Sequence, residues 1–116
     1  MRKILISNEC DVFIRNSSVR VQTKFEYLIN VISKHKTVSK NFVDKLVKSK
    51  FYELRIHADN QIRIILFTMD NPNFQESTEI ILLNAFIKKS TKDYKSAIKT
   101  AENLLEVYKD QLQCIN

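Results

Sequence analysis

The sequence contains no glycine and no tryptophan, and its only proline is Pro72. Turns are therefore expected to use asparagine, aspartate, serine and Pro72, and asparagine and aspartate are the next residues able to adopt a left-handed backbone at low cost. Without glycine, the chain has neither a phosphate-binding P-loop nor the G-x-S-x-G turn of serine hydrolases. Two common routes to nucleotide binding and acyl hydrolysis are thereby excluded.

Cysteine and histidine are also scarce. The two cysteines, Cys10 and Cys114, lie near opposite ends of the sequence, and the two histidines are His35 and His57. No pair of these residues has the close spacing of a zinc site or of a Cys-x-x-Cys redox motif. We therefore expect two reduced thiols, no metal and no cofactor, with His57 an exposed residue beside a turn.

Long apolar runs are absent as well, since no stretch approaches the roughly 20 residues that a membrane-spanning helix needs. The N-terminus begins like an export signal, with Arg2 and Lys3 before an apolar stretch. Ser7, Asn8 and Glu9 then interrupt that stretch at once. The sequence therefore predicts a cytoplasmic protein.

The composition that is present is that of a globular protein with an excess of positive charge. Of the 116 residues, 44% are hydrophobic and 28% are charged, which is typical of a chain with one apolar core. Residues 1–116 are expected to form a single domain. The net charge of +6 favours phosphate-rich partners such as nucleic acid, although proteins that bind no anion can also be basic.

The spacing of hydrophobic residues divides the chain into strands and helices. An N-terminal strand and a later three-strand meander are predicted at residues 2–6, 51–56, 62–69 and 79–87. The connection at residues 57–61 is predicted to be a hairpin loop in which Asp59 and Asn60 make the turn, and residues 70–77 form a polar loop.

Four helices are predicted between and after these strands. They comprise residues 8–16, a longer helix that Ser17 or Ser18 caps and that ends near residues 34–36, a short helix after Ser39, and a C-terminal helix that opens at residues 90–93. The short helix is expected to turn Phe42, Val43, Leu46 and Val47 inward. The order of elements predicts an α+β fold, in which a small antiparallel sheet has its helices packed on one face.

Candidate functional residues follow from the alternation of side chains along the strands. In the first meander strand, Tyr52, Leu54 and Ile56 are expected to face the core, while Glu53, Arg55 and His57 face the opposite side. Arg63 lies within an apolar run, where a guanidinium group is costly unless it is paired or serves a site. Arg63 is therefore expected either to reach solvent, to pair with Glu53, or to serve a site.

The third meander strand places Asn84, Phe86 and Lys88 on one face. If the three strands pair as a simple meander, Arg55, Arg63, Phe86 and Lys88 converge on one surface of the sheet. Such a surface offers cations for a phosphate and an aromatic ring for a base.

Three sequence blocks resemble those of a known toxin family. They are FYELR at residues 51–55, IRIILF at residues 62–67 and ILLNAFIKK at residues 81–89, followed by a helix that contains Ala97, Ile98 and Ala101. In order and spacing these blocks are similar to the HigB-like branch of the RelE/ParE toxin superfamily, which includes phage-derived members. The resemblance covers about residues 46–108, and the N-terminal half agrees only in the order of its elements.

This resemblance implies a RelE-like fold with a C-terminal helix and a type II toxin that cleaves messenger RNA on the ribosome without a metal ion. It implies a helix-turn-helix (HigA-like) antitoxin as a partner. Carried over residue by residue, the catalytic cations are Arg55, Arg63, Lys88 and Lys89, and the RNA-binding residues are Phe86, Tyr94 and Lys92.

The sequence departs from the family at the start of the last helix, where relatives often have Thr-Pro and this chain has Asp93 and Tyr94. Two alternative functions stay open at this point. One is a gyrase-poisoning toxin of the ParE type, which shares the fold and cleaves nothing. The other is a non-catalytic module whose basic face docks an acidic partner.

Overall fold

The computed structural model describes the backbone of residues 1–115 and the side chains of residues 1–111. These residues form a sheet, three α-helices and one short 3-10 turn. The strands are β1 Lys3–Ile6, β2 Val43–Lys45, β3 Tyr52–Ala58, β4 Asn60–Thr68 and β5 Glu79–Ile87. The α-helices are α1 Asn8–Arg15, α2 Val19–Lys34 and α3 Lys92–Ile115, and the 3-10 turn is Phe74–Glu76.

The five strands form one mixed sheet in the order β1-β5-β4-β3-β2. The predicted antiparallel meander of β3, β4 and β5 is confirmed, and so is the α+β class. The N-terminal strand, however, runs parallel to β5, so the expectation of a purely antiparallel sheet is wrong. Two parallel neighbouring strands need a long connection between them. Here the segment between β1 and β5 contains α1, α2 and the strands β2 to β4.

Helices cover both faces of the sheet, which corrects the expectation that they pack on one face. Helices α1 and α2 share an apolar core with Ile80 and Leu82 of β5. Helix α3 packs on the opposite side, in a second core with Ile81 and Leu83. Because successive residues of β5 are apolar, both sides of this strand must be shielded from water.

The two N-terminal helices begin where serine caps them. The hydroxyl of Ser7 accepts a hydrogen bond from the N–H of Cys10 at 3.0 Å, and Ser18 does the same for Val21 at 3.3 Å. Each serine thus satisfies a backbone donor that has no partner within the helix. The cap at Ser18 and the end of α2 at Lys34 confirm the predicted limits of that helix.

The predicted short helix after Ser39 is wrong, because this segment forms the edge strand β2. Val43 and Leu46 are buried as expected, but Val47 is 83% exposed. Strand β2 pairs antiparallel with β3 in the register Val43↔Leu54, so tertiary pairing overrides the helix-like spacing of the apolar residues.

The hairpin between β3 and β4 is tighter than the predicted five-residue loop. His57 and Gln61 are paired within the ladder, and Ala58 pairs with Asn60. Asp59 alone makes the turn with a φ of 63°, and it does so without glycine, as residues with short polar side chains can. His57 is exposed, as predicted.

Candidate active site

The register of the sheet brings the predicted cations together. Arg55 of β3 lies directly opposite Arg63 of β4, which lies directly opposite Phe86 of β5. All three side chains lie on the α3 side, because Leu54 and Ile64 beside them belong to the core under α1 and α2. The convergence inferred from strand alternation is therefore confirmed.

Helix α3 begins beside this row and adds Tyr94 to it. The ring of Tyr94 packs edge-on against Phe86, with 5.4 Å between the ring centroids. The ammonium group of Lys88 lies 5.6 Å from the centre of the Tyr94 ring, within the range of a cation–π contact. We name Arg55, Arg63, Phe86, Lys88 and Tyr94 the cation cluster.

Arg63 is buried in this cluster, with 4% of its surface exposed. Its Nε donates to the Tyr94 hydroxyl at 3.2 Å, and its terminal nitrogens donate to the Ile62 carbonyl at 3.2 Å and to Gln61 at 3.3 Å. The Nε also lies 3.8 Å from a carboxylate oxygen of Glu53. Arg63 therefore does not reach solvent, and the expected pairing with Glu53 is present as a long ion pair.

Arg55 is more accessible, with 32% of its side chain exposed. Its Nε donates to Glu53 at 2.7 Å, and its Nη2 donates to Asp44 of β2 at 3.3 Å. The hydrogen bond to Glu53 is the largest cause of a raised pKa for Arg55, and burial opposes it. Arg55 is thus a fixed positive charge at the surface.

The hydroxyl of Tyr94 also lies in this electrostatic environment. Burial raises the pKa of Tyr94, the nearby Glu53 carboxylate raises it further, and Arg63 acts in the opposite direction. Tyr94 is therefore a protonated donor at neutral pH. Without Thr-Pro at this place, α3 still begins at Lys92, and Tyr94 contacts Phe86 and Arg63.

Lys89 and Lys92, the other two predicted cations, are exposed. Among the side chains that the structure describes, neither makes a hydrogen bond or an ion pair with the cluster. The backbone N–H groups of Lys89 and Ser90 instead donate to the Asp93 carboxylate at 2.7 and 2.9 Å. These two bonds lower the pKa of Asp93 and fix the short connection between β5 and α3.

Asn84 shares the α3 side with Phe86, as predicted, and its Nδ2 donates to the carbonyl of Ala97 at 3.1 Å. A shift of register between Ile65 and Leu66 of β4 accompanies this arrangement in β5. Asn84 therefore ties the sheet to α3 directly beneath the cluster.

Strand alternation already places Glu53 on the side of Arg55 and offers it as a partner of Arg63, whereas the sequence does not indicate Asp44 or Gln61 as parts of the site. Asp44 could not be found, since its segment is predicted to be helical. Gln61 was assigned to a loop, whereas the tight turn at Asp59 places it in β4.

Metal and thiol chemistry receive no support from the described residues. Among them, no three histidine, cysteine, aspartate or glutamate side chains are grouped as metal ligands. Cys10 is buried, and burial raises the pKa of its thiol to about 12, which keeps it protonated. The side chain of Cys114 lies outside the described residues. No helix in residues 1–115 has the length and hydrophobicity to span a membrane.

Comparisons with known proteins give one family and one fold. A family described as "Phage derived protein Gp49-like (DUF891)" matches residues 12–106. No curated protein matches the sequence. The structure is similar to one chain of the crystal structure of the intact E. coli RelBE toxin–antitoxin complex, with a TM-score of 0.55 and 12% identity over 78% of this chain and 100% of that one.

A second solved structure, a mutant of the E. coli toxin RelE in the free state, gives a TM-score of 0.56 and 11% identity. This match covers 84% of this chain and 95% of the other. At such identities the likeness establishes the fold, which is that of RelE and agrees with the expected fold class.

Proposed function

The chain belongs to the phage-derived Gp49-like family, a family of RelE-like toxins, and we propose that it is the toxin of a type II toxin–antitoxin system that cleaves messenger RNA on the ribosome. The observation that carries this proposal is the cation cluster. Two arginines from adjacent strands and Lys88, just after β5, share one surface with two aromatic rings. That combination suits a phosphodiester flanked by bases.

The reaction uses a nucleophile that RNA itself supplies. The 2′-hydroxyl attacks the adjacent phosphorus, a 2′-O–P bond forms, and the bond from phosphorus to the 5′-oxygen of the next nucleotide breaks. The products are a 2′,3′-cyclic phosphate and a free 5′-hydroxyl. One proton leaves the 2′-oxygen and one is delivered to the 5′-oxygen, so the step needs no metal, oxidant or cofactor.

In this proposal Arg55 binds the non-bridging phosphoryl oxygens, because it is the exposed guanidinium group of the cluster. Lys88 stabilises the charge that develops on the departing 5′-oxygen. Each such cation is worth roughly 3 kcal/mol when it is fixed in place before the reaction. Positioning of the 2′-hydroxyl on the ribosome supplies a further share of the barrier reduction.

The remaining residues of the predicted site bind and orient RNA. Phe86 and Tyr94 present rings against which a base can stack, and the protonated Tyr94 hydroxyl donates a hydrogen bond to the phosphate or the leaving oxygen. Arg63 holds that hydroxyl in place. Lys89 and Lys92 contact the RNA backbone at the margin of the site, in keeping with their exposure.

The partner we propose is a cognate antitoxin of the helix-turn-helix (HigA-like) type. A toxin–antitoxin complex, RelBE, is among the structures that share this fold. Co-expression with the protein encoded by the adjacent gene should neutralise the toxin and yield a complex on purification. A neighbouring protein that neither binds nor protects would contradict this partner.

The test of the nuclease uses purified protein, translating ribosomes and a defined message. We expect new 5′ ends within the translated region, and a loss of rate of roughly 100- to 1000-fold in Arg55→Ala and in Lys88→Ala. Arg15→Ala and Lys34→Ala are matched controls that each remove one exposed cation elsewhere, and both should cleave like the wild type. Equal rates in Arg55→Ala and the wild type would overturn the assignment.

A further inference from the structure

Glu53 is a carboxylate on the floor of the cation cluster, where its exposed fraction is 2%. A buried carboxylate is costly unless positive charge and hydrogen bonds compensate it. Here one oxygen accepts the bond from Arg55, while the other has no hydrogen-bond partner among the described side chains. A group retained at such a cost suggests a role beyond packing.

The two arginines create a problem that Glu53 solves. Arg55 and Arg63 are directly opposite each other on the same side of an antiparallel pair, an arrangement in which like charges repel. A single oxygen of Glu53 lies 2.7 Å from Nε of Arg55 and 3.8 Å from Nε of Arg63. The carboxylate thus lies between the guanidinium groups and offsets their mutual repulsion.

The hydrogen bonds also determine which nitrogens stay available. All three nitrogens of Arg63 donate to protein groups. Arg55 uses Nε and Nη2, and no hydrogen bond of the described residues uses its Nη1. A guanidinium fork held through Nε presents its terminal nitrogens in a fixed direction.

We propose that Glu53 is a positioning residue, which holds Arg55 with its free edge toward an RNA phosphate and keeps Arg63 against the Tyr94 hydroxyl. This inference rests on the proposed ribonuclease function. It assigns to Glu53 no contact with the reacting atoms. Its effect passes through Arg55 and Arg63.

The experiment compares Glu53→Gln, which keeps the shape and removes the charge, with Glu53→Asp, which keeps the charge and shortens the reach. We expect kcat on ribosome-bound message to fall about 10- to 100-fold in Glu53→Gln, with KM changed less than threefold, because phosphate binding persists while orientation is lost. Glu53→Asp should recover part of kcat. Asp11→Asn is the matched control, since Asp11 pairs with Arg15 outside the cluster from a side chain that is 52% exposed.

A purely structural role for Glu53 gives a different result. Both variants would then lower the midpoint of thermal unfolding, while the folded fraction would retain the wild-type kcat. That result would overturn the inference and leave the ribonuclease function standing. A kcat for Asp11→Asn as low as that of Glu53→Gln would also overturn it, since the loss of any carboxylate would then suffice.

A second readout does not depend on cleavage. The Nε–H signal of Arg55 in ¹⁵N NMR should exchange slowly with water in the wild type and at least tenfold faster in Glu53→Gln, because the charged acceptor is gone. Unchanged exchange would contradict the positioning role. If the wild-type protein cuts no message at all, the proposed function fails on that result alone, and the exchange rates still decide whether Glu53 orients Arg55.

Discussion

Two arginines that look equivalent along the sequence have different surroundings in the structure. Arg63 has 4% of its surface exposed and all three of its nitrogens bonded within the protein, whereas the Arg55 side chain is 32% exposed. Sequence reasoning left open which of them binds the scissile phosphate. The greater accessibility of Arg55 favours it for that role. Arg63 instead donates a hydrogen bond that holds the Tyr94 hydroxyl in place.

This difference predicts unequal effects of the two arginines on stability and on activity. We expect Arg63→Ala to lower the free energy of unfolding by about 2–4 kcal/mol, because it leaves Glu53 and Tyr94 short of a buried partner. Arg55→Ala should cost about 1–3 kcal/mol, because it removes the hydrogen bond that the buried Glu53 carboxylate accepts, and it should lower the cleavage rate roughly 100- to 1000-fold. Urea denaturation of both variants measures this, and a greater loss of stability in Arg55→Ala would contradict the assigned roles.

Tyr94 gives a pH-dependent signal. Burial and the Glu53 carboxylate raise its pKa above the ordinary value of about 10, so the folded protein favours the phenol over the phenolate. This stabilisation is fully present below the unfolded pKa and is lost as pH rises through the folded pKa.

In an ultraviolet titration of the wild type, we expect one of the four tyrosines to ionise later than an ordinary tyrosine. Tyr94→Phe should remove that late transition. Tyr27→Phe is the control, because the Tyr27 residue is 53% exposed. The assignment fails if the late transition persists in Tyr94→Phe.

At the scale of elements, the segments with a clear pattern of hydrophobic residues or a capping residue were predictable. Strand β5 matches its predicted limits residue for residue, and α2 begins and ends where its serine cap and its last lysine indicate. The segment after Ser39 was not predictable, because Phe42, Val43, Leu46 and Val47 have a spacing that suits a helix face. Its structure depends on the free edge of β3, which no local pattern reveals.

Arg2 lies just before β1 and connects this strand to the end of α2 and to the 3-10 turn. Its Nη1 donates to the Ile32 carbonyl of α2 at 3.0 Å, and its Nη2 donates to the Phe74 carbonyl at 3.1 Å. The guanidinium carbon also lies 4.3 Å from the centre of the Phe74 ring. Arg2 thus serves carbonyls at the end of a helix, which lack partners within that helix.

We expect Arg2→Met to lower the free energy of unfolding by about 2–4 kcal/mol, because several buried carbonyls lose a charged donor. Cleavage per folded molecule should not change, because Arg2 makes no hydrogen bond with any residue of the cation cluster. Lys3→Met, at the exposed neighbouring position, is the control. Denaturation curves of the two variants that coincide would show that Arg2 has no such role.

At the scale of the molecule, the site lies where the start of α3 meets the sheet. Ala97, Ala101 and Leu105 of α3 cover the apolar part of this face, and Arg55, Arg63 and Phe86 continue the same face beyond the helix start. Alternation of side chains was enough to predict the shared face of the cations. It did not predict that α3 packs on this face, because β5 is apolar on both sides.

The charges of the cluster were likewise only half predictable. The positive residues could be identified from their strand positions and from the resemblance to toxins. Pairing of Arg63 with Glu53 was among the expected alternatives, whereas the pairing of Arg55 with Asp44 depends on β2, a strand that the sequence did not indicate. The pairing matters because it leaves Arg55, rather than Arg63, able to meet a ligand.

The central claim is that this surface cleaves translated messages. The most direct test is to sequence RNA 5′ ends in cells that express the wild type, Arg55→Ala or Arg15→Ala at matched levels. We predict new ends within translated regions for the wild type and for Arg15→Ala, and none for Arg55→Ala. Toxicity with intact messages and induced DNA damage would contradict the claim and indicate a gyrase poison, and growth arrest with neither would indicate a non-catalytic binding protein.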